Sequence, residues 1–218
     1  NLSRVDADLQ ARDLGWREIG VELGATASIL GFAGASSPAS AAYEAGLALG
    51  LLQVLAEGDR APAEAQAAVE RLAEAMRHLG ASAGDERAAQ SLADGLASGQ
   101  VDSGALAARL MRVERAVQGV VGGAGVQADL LQTGAWLQHL RTATVAARVL
   151  GRPLSEFADP ALNAQTARFF AEELSVDESE TSSALRELAA AVAADPDAVR
   201  DLQTLLANID GIGATFGD

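Results

Sequence analysis

Apolar residues recur at helical spacing through most of the chain, and this spacing limits the possible folds more than any other feature of the sequence. Intervals of mainly three, four or seven residues separate the members of three sets: Leu9, Trp16, Leu23 and Leu30; Val69, Leu72, Met76 and Leu79; Leu106, Leu110, Val113, Val117 and Val120. Such intervals place each set along one side of a helix. The sequence lacks the sustained alternation of apolar and polar residues that a half-buried strand would show. The chain is therefore predicted to be all-α.

Prolines and glycines divide this pattern into separate helices. Three prolines each follow a residue that caps helix N-termini well: Pro38 after Ser37, Pro160 after Asp159, and Pro196 after Asp195. Ser175 and Glu178 have the spacing of a capping box. Five glycines fit helix C-termini: Gly34, Gly58, Gly80, Gly99 and Gly151. These signals predict a bundle of eight or nine helices, near residues 4–32, 38–57, 62–79, 85–98, 103–121, 126–150, 160–174, 178–194 and 196–210.

The two halves of the sequence resemble each other in the order of several residues. Trp16 and Trp136, the only tryptophans, lie 120 residues apart, and Ile29-Leu30-Gly31 corresponds to Val149-Leu150-Gly151 at the same offset. This order predicts two duplicated four-helix units, residues 1–99 and 126–218, joined by a connecting helix and a Gly-rich joint at 100–125. The units are expected to pack as one body. Chance similarity between helices rich in Ala and Leu is the alternative explanation.

The residues that the chain lacks exclude several kinds of chemistry. There is no Cys and no Lys, since all 16 basic residues are Arg. Thiol nucleophiles, P-loops of the Walker type and Schiff bases are therefore excluded. The 30 acidic residues give a net charge of −14, which repels phosphate backbones. Because the one Arg cluster (Arg109, Arg112 and Arg115) lies beside Glu114, no nucleic-acid partner is expected.

The longest apolar stretches, residues 19–33 and 45–56, are shorter than the roughly 18 to 20 residues that span a bilayer. No transmembrane segment is therefore expected. The chain begins with Asn1 rather than Met, and this start favours a mature domain located outside the cytoplasm, periplasmic or secreted.

Two histidines are available for acid-base or ligand chemistry, and their helical positions differ. His139 follows Trp136 by one turn on the inward side of its helix, whereas His78 lies opposite the buried side of its helix. The candidate ligand-binding residues are therefore His139, Trp136, Trp16 and Tyr43. A core histidine with satisfied hydrogen bonds is the alternative interpretation of His139.

Two carboxylates, Glu22 and Glu44, interrupt apolar helical segments and are the candidate metal ligands. A ferritin-like site would also need Glu-x-x-His motifs, which the sequence lacks. Gly80-Ala81-Ser82-Ala83-Gly84 has the letters of a nucleophile elbow. However, that motif requires a preceding strand, and a helix is predicted there, so we interpret the match as coincidence.

Glycines repeat at four-residue intervals in two of the predicted helices. Gly20 and Gly24 form one pair, and Gly46 and Gly50 form the other. Each glycine inside a helix costs about 1 kcal/mol relative to Ala. Such spacing allows two helix backbones to approach closely. These glycines are therefore predicted to face another helix or a cavity.

The sequence contains no convincing set of nucleophile, base or metal ligands, and this favours a binding protein without enzymatic activity. The preferred hypothesis is a helical interaction protein that holds a protein partner. The first alternative is a carrier of an apolar or cyclic small molecule, bound between the duplicated halves. The second is a carboxylate-metal enzyme that uses Glu22 and Glu44, with His139 as an optional further ligand. The sequence leaves the cofactor unknown.

Overall fold

The computed structural model describes residues 19, 37–57, 62–98, 103–194 and 202–216, and the regular structure in these ranges is entirely helical. The helices are α1 (Pro38–Glu57), α2 (Pro62–His78), α3 (Ala83–Ser98), α4 (Ser103–Val121), α5 (Val126–Leu150), α6 (Pro160–Glu173), α7 (Ser179–Ala194) and α8 (Leu202–Ala214), with a short 3₁₀ turn at Leu154–Glu156. The described ranges contain no strand, so the all-α prediction is confirmed.

The predicted boundaries of the second to the eighth helix agree with the structure to within two residues at each end. The last helix continues to Ala214, four residues past the predicted end. The predicted helix at 4–32 and the predicted start at Pro196 lie outside the described residues, apart from Ile19, which is helical and fully buried. The duplication and the division at residues 99 and 125 stay predictions.

Two of the predicted helix N-termini are capped as expected. The Ser37 hydroxyl accepts a hydrogen bond from the Ser40 backbone N–H at 3.1 Å at the start of α1. The Asp159 carboxylate accepts one from the Leu162 N–H at 3.1 Å at the start of α6. Each bond satisfies a backbone donor that the first turn of a helix would leave without a partner.

The predicted capping box at Ser175 and Glu178 is wrong. The Ser175 hydroxyl donates instead to the Glu172 carbonyl at 2.7 Å, and α7 begins only at Ser179. Gly80 and Gly151 do end helices as predicted, with φ angles of 85° and 59°. Such left-handed angles favour glycine because it has no Cβ.

The described helices belong to two compact units, and the first comprises the described part of Gly34–Gln138. Within it, α1 packs against α2, α2 against α3 and α3 against α4, and α4 also packs against α1. Its core contains large side chains with no exposed surface, among them Leu52, Leu72, Met76 and Leu92. α1 is the central helix, because no described residue between 39 and 56 is fully exposed.

Three glycines allow the backbones of α1 and α5 to approach closely inside this first unit. A Cβ atom built on Gly46 would clash with the Leu131 carbonyl oxygen of α5, and one on Gly50 would lie 2.8 Å from the Ala135 carbonyl oxygen. In the opposite direction, a Cβ atom on Gly134 would clash with the Tyr43 carbonyl oxygen. The predicted contact of Gly46 and Gly50 with another helix is confirmed. Gly20 and Gly24 lie outside the described residues.

The second unit contains the described residues from His139 onward, so α5 contributes to both units. α7 packs against α6 and α8. Fully buried leucines fill this unit, including Leu150, Leu174, Leu185 and Leu188. The Ser182 hydroxyl donates to the Ala171 carbonyl at 2.6 Å and so joins α7 to α6.

α1 is the one helix among the described ranges that is long and apolar enough to cross a membrane, with a mean hydropathy of 1.3 over Pro38–Ala56. However, 67% of this segment is buried within the fold. Core helices of globular proteins commonly combine such length and burial. The expected absence of a transmembrane segment stays a prediction.

Gly134→Ala is expected to destabilise the protein by about 2 kcal/mol, because the added methyl group has no space beside the Tyr43 carbonyl. Gly119→Ala is the matched control. Gly119 is an exposed helical glycine on α4, and a Cβ atom built there meets no neighbour within 4 Å. The control is therefore expected to stabilise the protein by about 0.5 to 1 kcal/mol. Urea unfolding measures both changes, and equal stability of the two variants would contradict the close approach.

Candidate functional site

The predicted ligand-binding residues lie at different depths. Tyr43 is only 3% exposed, and its backbone carbonyl faces Gly134 where α1 meets α5. Trp136 and His139 follow on α5 and are both partly buried, whereas His78 is exposed at the end of α2. Trp16 lies outside the described residues. A ligand-binding role for Trp136, His139 and Tyr43 stays a prediction.

Glu44 lies on α1, half-buried, and its environment is unusual for a carboxylate. Its pKa is raised from 4.5 to about 7, first because burial disfavours the charged form and second because Glu74 of α2 is also negative. The positive charge of Arg71, on the same helix as Glu74, opposes both effects. Glu44 therefore exchanges its proton near neutral pH, as a general acid or base would.

The predicted metal site gains no third ligand in the ranges that the structure describes. No group of three or more Asp, Glu and His residues lies close enough there to hold an ion. Glu22, the proposed partner of Glu44, lies outside those ranges. The pairing of Glu22 and Glu44 on a metal therefore stays a prediction.

Ser82, the serine of the GxSxG letters, caps a helix. Its hydroxyl donates to the Asp85 carboxylate at 2.7 Å and accepts from the Gly84 backbone N–H at 3.2 Å, at the start of α3. The Asp85 carboxylate also accepts from the Ser82 N–H at 3.0 Å. These reciprocal bonds are those of a capping box. They also lower the pKa of the exposed Asp85 carboxyl.

A buried ion pair in the second unit was not foreseen from the sequence. Arg141 of α5 donates through Nε to the Asp210 carboxylate of α8 at 2.9 Å, and both side chains are nearly inaccessible. Burial raises the pKa of Asp210, although the charge and hydrogen bond of Arg141 act in the opposite direction. The signal in the sequence was a lone Arg within the inward side of an apolar helix. Such a pair fixes how two helices pack and adds little net stability.

Large apolar side chains are exposed at four positions in the described ranges, and three of them lie on α6 or directly after it in sequence. Leu162 and Phe169 lie seven residues apart on α6, exposed by 59% and 53%, and Val176 follows the helix end with 88% of its surface exposed. We call Leu162, Phe169 and Val176 the α6 patch. Seven residues are close to two helical turns, so Leu162 and Phe169 share one side of the helix.

The ring of Phe169 is held in place although it faces solvent. It contacts the buried ring of Phe170 edge-on, with the ring centres 5.4 Å apart and the planes at 62°. Aromatic pairs in this arrangement stabilise each other by about 0.5 to 1.5 kcal/mol beyond the burial of their surface. The contact with Phe170 therefore favours one position of the exposed ring.

The inner side of α6 explains why sequence reasoning missed the α6 patch. This inner side is formed by small residues together with Phe170: Ala164, Ala167 and Ala171 are all buried. The larger Leu162 and Phe169 face outward, the reverse of what hydrophobicity alone would predict. The sequence does contain one indication of the patch. Leu162 and Phe169 are seven residues apart, and neither belongs to the series of buried alanines.

Most of the charged residues close in sequence to Phe169 and Val176 are acidic. Glu172, Glu173 and Asp177 are exposed, and Arg168 is the exposed basic residue of α6. Within the described ranges, none of these three carboxylates takes part in an ion pair. The pKa of the neighbouring Glu178 is raised by partial burial and by the charge of Asp177, which is consistent with a local excess of negative charge.

Glu44→Gln is expected to stabilise the protein at about pH 8 and to leave its stability unchanged near pH 4. Folding raises the pKa of Glu44 from 4.5 to about 7. At a pH between these two pKa values, Glu44 is therefore protonated in the folded protein and ionised in the unfolded chain. Wild-type stability therefore falls as the pH rises through this range. The side chain is only half-buried, so screening limits the gain of the variant to about 1 kcal/mol.

Urea unfolding of wild type and variant at both pH values measures this difference. Glu74→Gln is the control, because removal of this negative charge is expected to lower the pKa of Glu44 and to reduce the effect. An equal stability difference between wild type and Glu44→Gln at both pH values would contradict the assignment.

The chain was also compared with known proteins. No protein family, curated protein or solved structure matches it. The function is therefore inferred from the contacts, burial and charges of its own residues.

Proposed function

We propose that this protein is a helical binding protein without enzymatic activity, and that the α6 patch binds a partner protein. The observation that carries the proposal is the outward position of Phe169, which is 53% exposed yet held by its contact with Phe170. Positioned aromatic side chains in the centre of an apolar group provide much of the affinity at protein interfaces.

Burial of the α6 patch would supply the main driving force. Complete burial of an exposed side chain of this size contributes about 1.5 to 3 kcal/mol, and Leu162 and Phe169, with 59% and 53% of their surface exposed, can each gain about half of this. Both side chains can be buried at once, because one partner helix can contact Leu162 and Phe169 along the same side of α6. The contact with Phe170 also reduces the entropy that Phe169 would otherwise lose on binding.

The charges around the α6 patch indicate the chemistry of the partner. Glu172, Glu173 and Asp177 are exposed and lie close in sequence to the apolar residues, and the whole chain carries a net charge of −14. A complementary surface therefore has apolar side chains flanked by Arg or Lys. Opposite charges at the rim of an interface increase the association rate and exclude acidic competitors.

A basic amphipathic helix is the simplest probe of this surface. A synthetic peptide of about 18 residues, with Leu along one side and Lys along its flanks, is expected to bind the protein. Phe169→Ser is expected to weaken this binding at least about tenfold, because it removes the central apolar contact. Fluorescence anisotropy of the labelled peptide measures the dissociation constant.

Ala67→Ser is the control, because Ala67 is an exposed apolar residue on α2, away from the α6 patch in sequence. It is expected to leave the affinity for the peptide unchanged. A second peptide with Glu in place of every Lys is expected not to bind. Equal affinity of wild type and Phe169→Ser for the basic peptide, or equal binding of both peptides, would overturn the proposal.

A further inference from the structure

The fourth exposed apolar residue, Met111, has the opposite charge environment from the α6 patch. Met111 lies on α4 directly before Arg112 and four residues before Arg115, and all three side chains are exposed. We call Met111, Arg112 and Arg115 the α4 strip. Met111 and Arg115 are one helical turn apart, so they lie on the same side of α4.

The basic charge of the α4 strip is not neutralised by its neighbours in the described ranges. Arg112 and Arg115 donate through Nε to backbone carbonyls of their own helix, at 3.4 Å and 3.2 Å, and neither takes part in an ion pair there. The adjacent Glu114 is half-buried and accepts a hydrogen bond from Gln53 of α1 at 2.8 Å. The two guanidinium groups therefore remain available to an external carboxylate.

Arg109, the third arginine of the cluster, has a different role. It is partly buried and donates through Nη1 to the Ser91 carbonyl of α3 at 2.7 Å. This bond joins α4 to α3 within the first unit. The cluster seen in the sequence is thus divided, with one arginine used for packing and two presented outward.

We infer that the partner of the α6 patch is a second copy of this chain, which docks through its α4 strip. The inference rests on the proposed function of the α6 patch and identifies the partner. The α4 strip has the required chemistry, an apolar side chain next to two arginines, and the α6 patch offers apolar side chains close in sequence to Glu172, Glu173 and Asp177. Paired guanidinium and carboxylate groups would fix the register of the contact.

The contact joins two different surfaces, so it is head-to-tail. Each copy carries one α4 strip and one α6 patch, and a chain bound through one surface still presents the other. Head-to-tail contacts close into rings or continue as open chains. The protein is therefore expected to form species larger than dimers as its concentration rises.

The salt dependence of this association follows from two electrostatic effects of opposite sign. Two copies with a net charge of −14 repel each other, and at about 0.01 M salt this repulsion extends over roughly 30 Å. At about 0.15 M the range falls to roughly 8 Å, which leaves only the local attraction between strip and patch. At about 1 M the local attraction is screened as well. Association is thus expected to be strongest at intermediate salt, whereas a purely hydrophobic contact would strengthen steadily.

A mixing experiment with two blocked variants tests the inference. Arg115→Glu reverses a charge in the α4 strip and keeps the α6 patch, whereas Phe169→Ser removes the centre of the α6 patch and keeps the α4 strip. Sedimentation velocity is expected to show wild type associating and each variant alone as a monomer. An equimolar mixture of the variants is expected to form dimers and nothing larger, because each retains one complementary surface.

Two further measurements keep the outcomes distinct. Leu162→Ser replaces Phe169→Ser if loss of the ring contact with Phe170 lowers stability, and circular dichroism confirms folding of each variant. Arg115→Glu is expected to bind the basic peptide at least as tightly as wild type does, because no second copy competes for its intact α6 patch. Monomeric wild type at every salt concentration, with intact peptide binding, would overturn the inference and leave the proposed function standing. Self-association of Arg115→Glu alone would overturn it in favour of a symmetric contact between two α6 patches.

Discussion

The close approach of α1 and α5 determines how the first unit is built. Where Gly46, Gly50 and Gly134 face the other helix, the carbonyl groups of one backbone occupy the space that Cβ atoms would otherwise fill. α2 and α4 pack against α1 as well, which leaves this apolar helix with no fully exposed residue between 39 and 56. The unusual environment of Glu44 follows from this arrangement, because a carboxylate on an enclosed helix loses part of its hydration.

Helix boundaries were predictable because they depend on local chemistry. Ser37 and Asp159 cap helices as expected, and Gly80 and Gly151 end them. The pairing of helices was not predictable in this way. The sequence singled out Gly46 and Gly50, but Gly134, their counterpart across the crossing, belongs to a helix some 85 residues further on and carries no local signal. Long-range pairing depends on the whole fold, whereas caps depend on a few neighbouring residues.

The α6 patch could not be predicted for a related reason. Hydrophobicity identifies apolar residues but does not state which side of a helix packs inward, and on α6 the alanines face inward while Leu162 and Phe169 face outward. Small residues allow a close approach of neighbouring helices, as on α1, so size as well as polarity decides which side is buried. The arginines also differ in ways that their residue type does not predict. Arg109 and Arg141 join helices, whereas Arg112 and Arg115 face solvent.

The enclosure of α1 has a consequence for how the chain is synthesised. Pro38–Ala56 is as long and apolar as a membrane-spanning segment, but the helices that cover it are translated later, and Gly134 and Gln138 emerge about 80 residues after it. At a translation rate of roughly 5 to 20 residues per second, this apolar segment leaves the ribosome some 4 to 16 seconds before the residues of α5 that cover it. During this interval an apolar segment long enough to cross a membrane is not yet covered by α5. Glu44, placed within that segment, is then the residue that most opposes its entry into lipid.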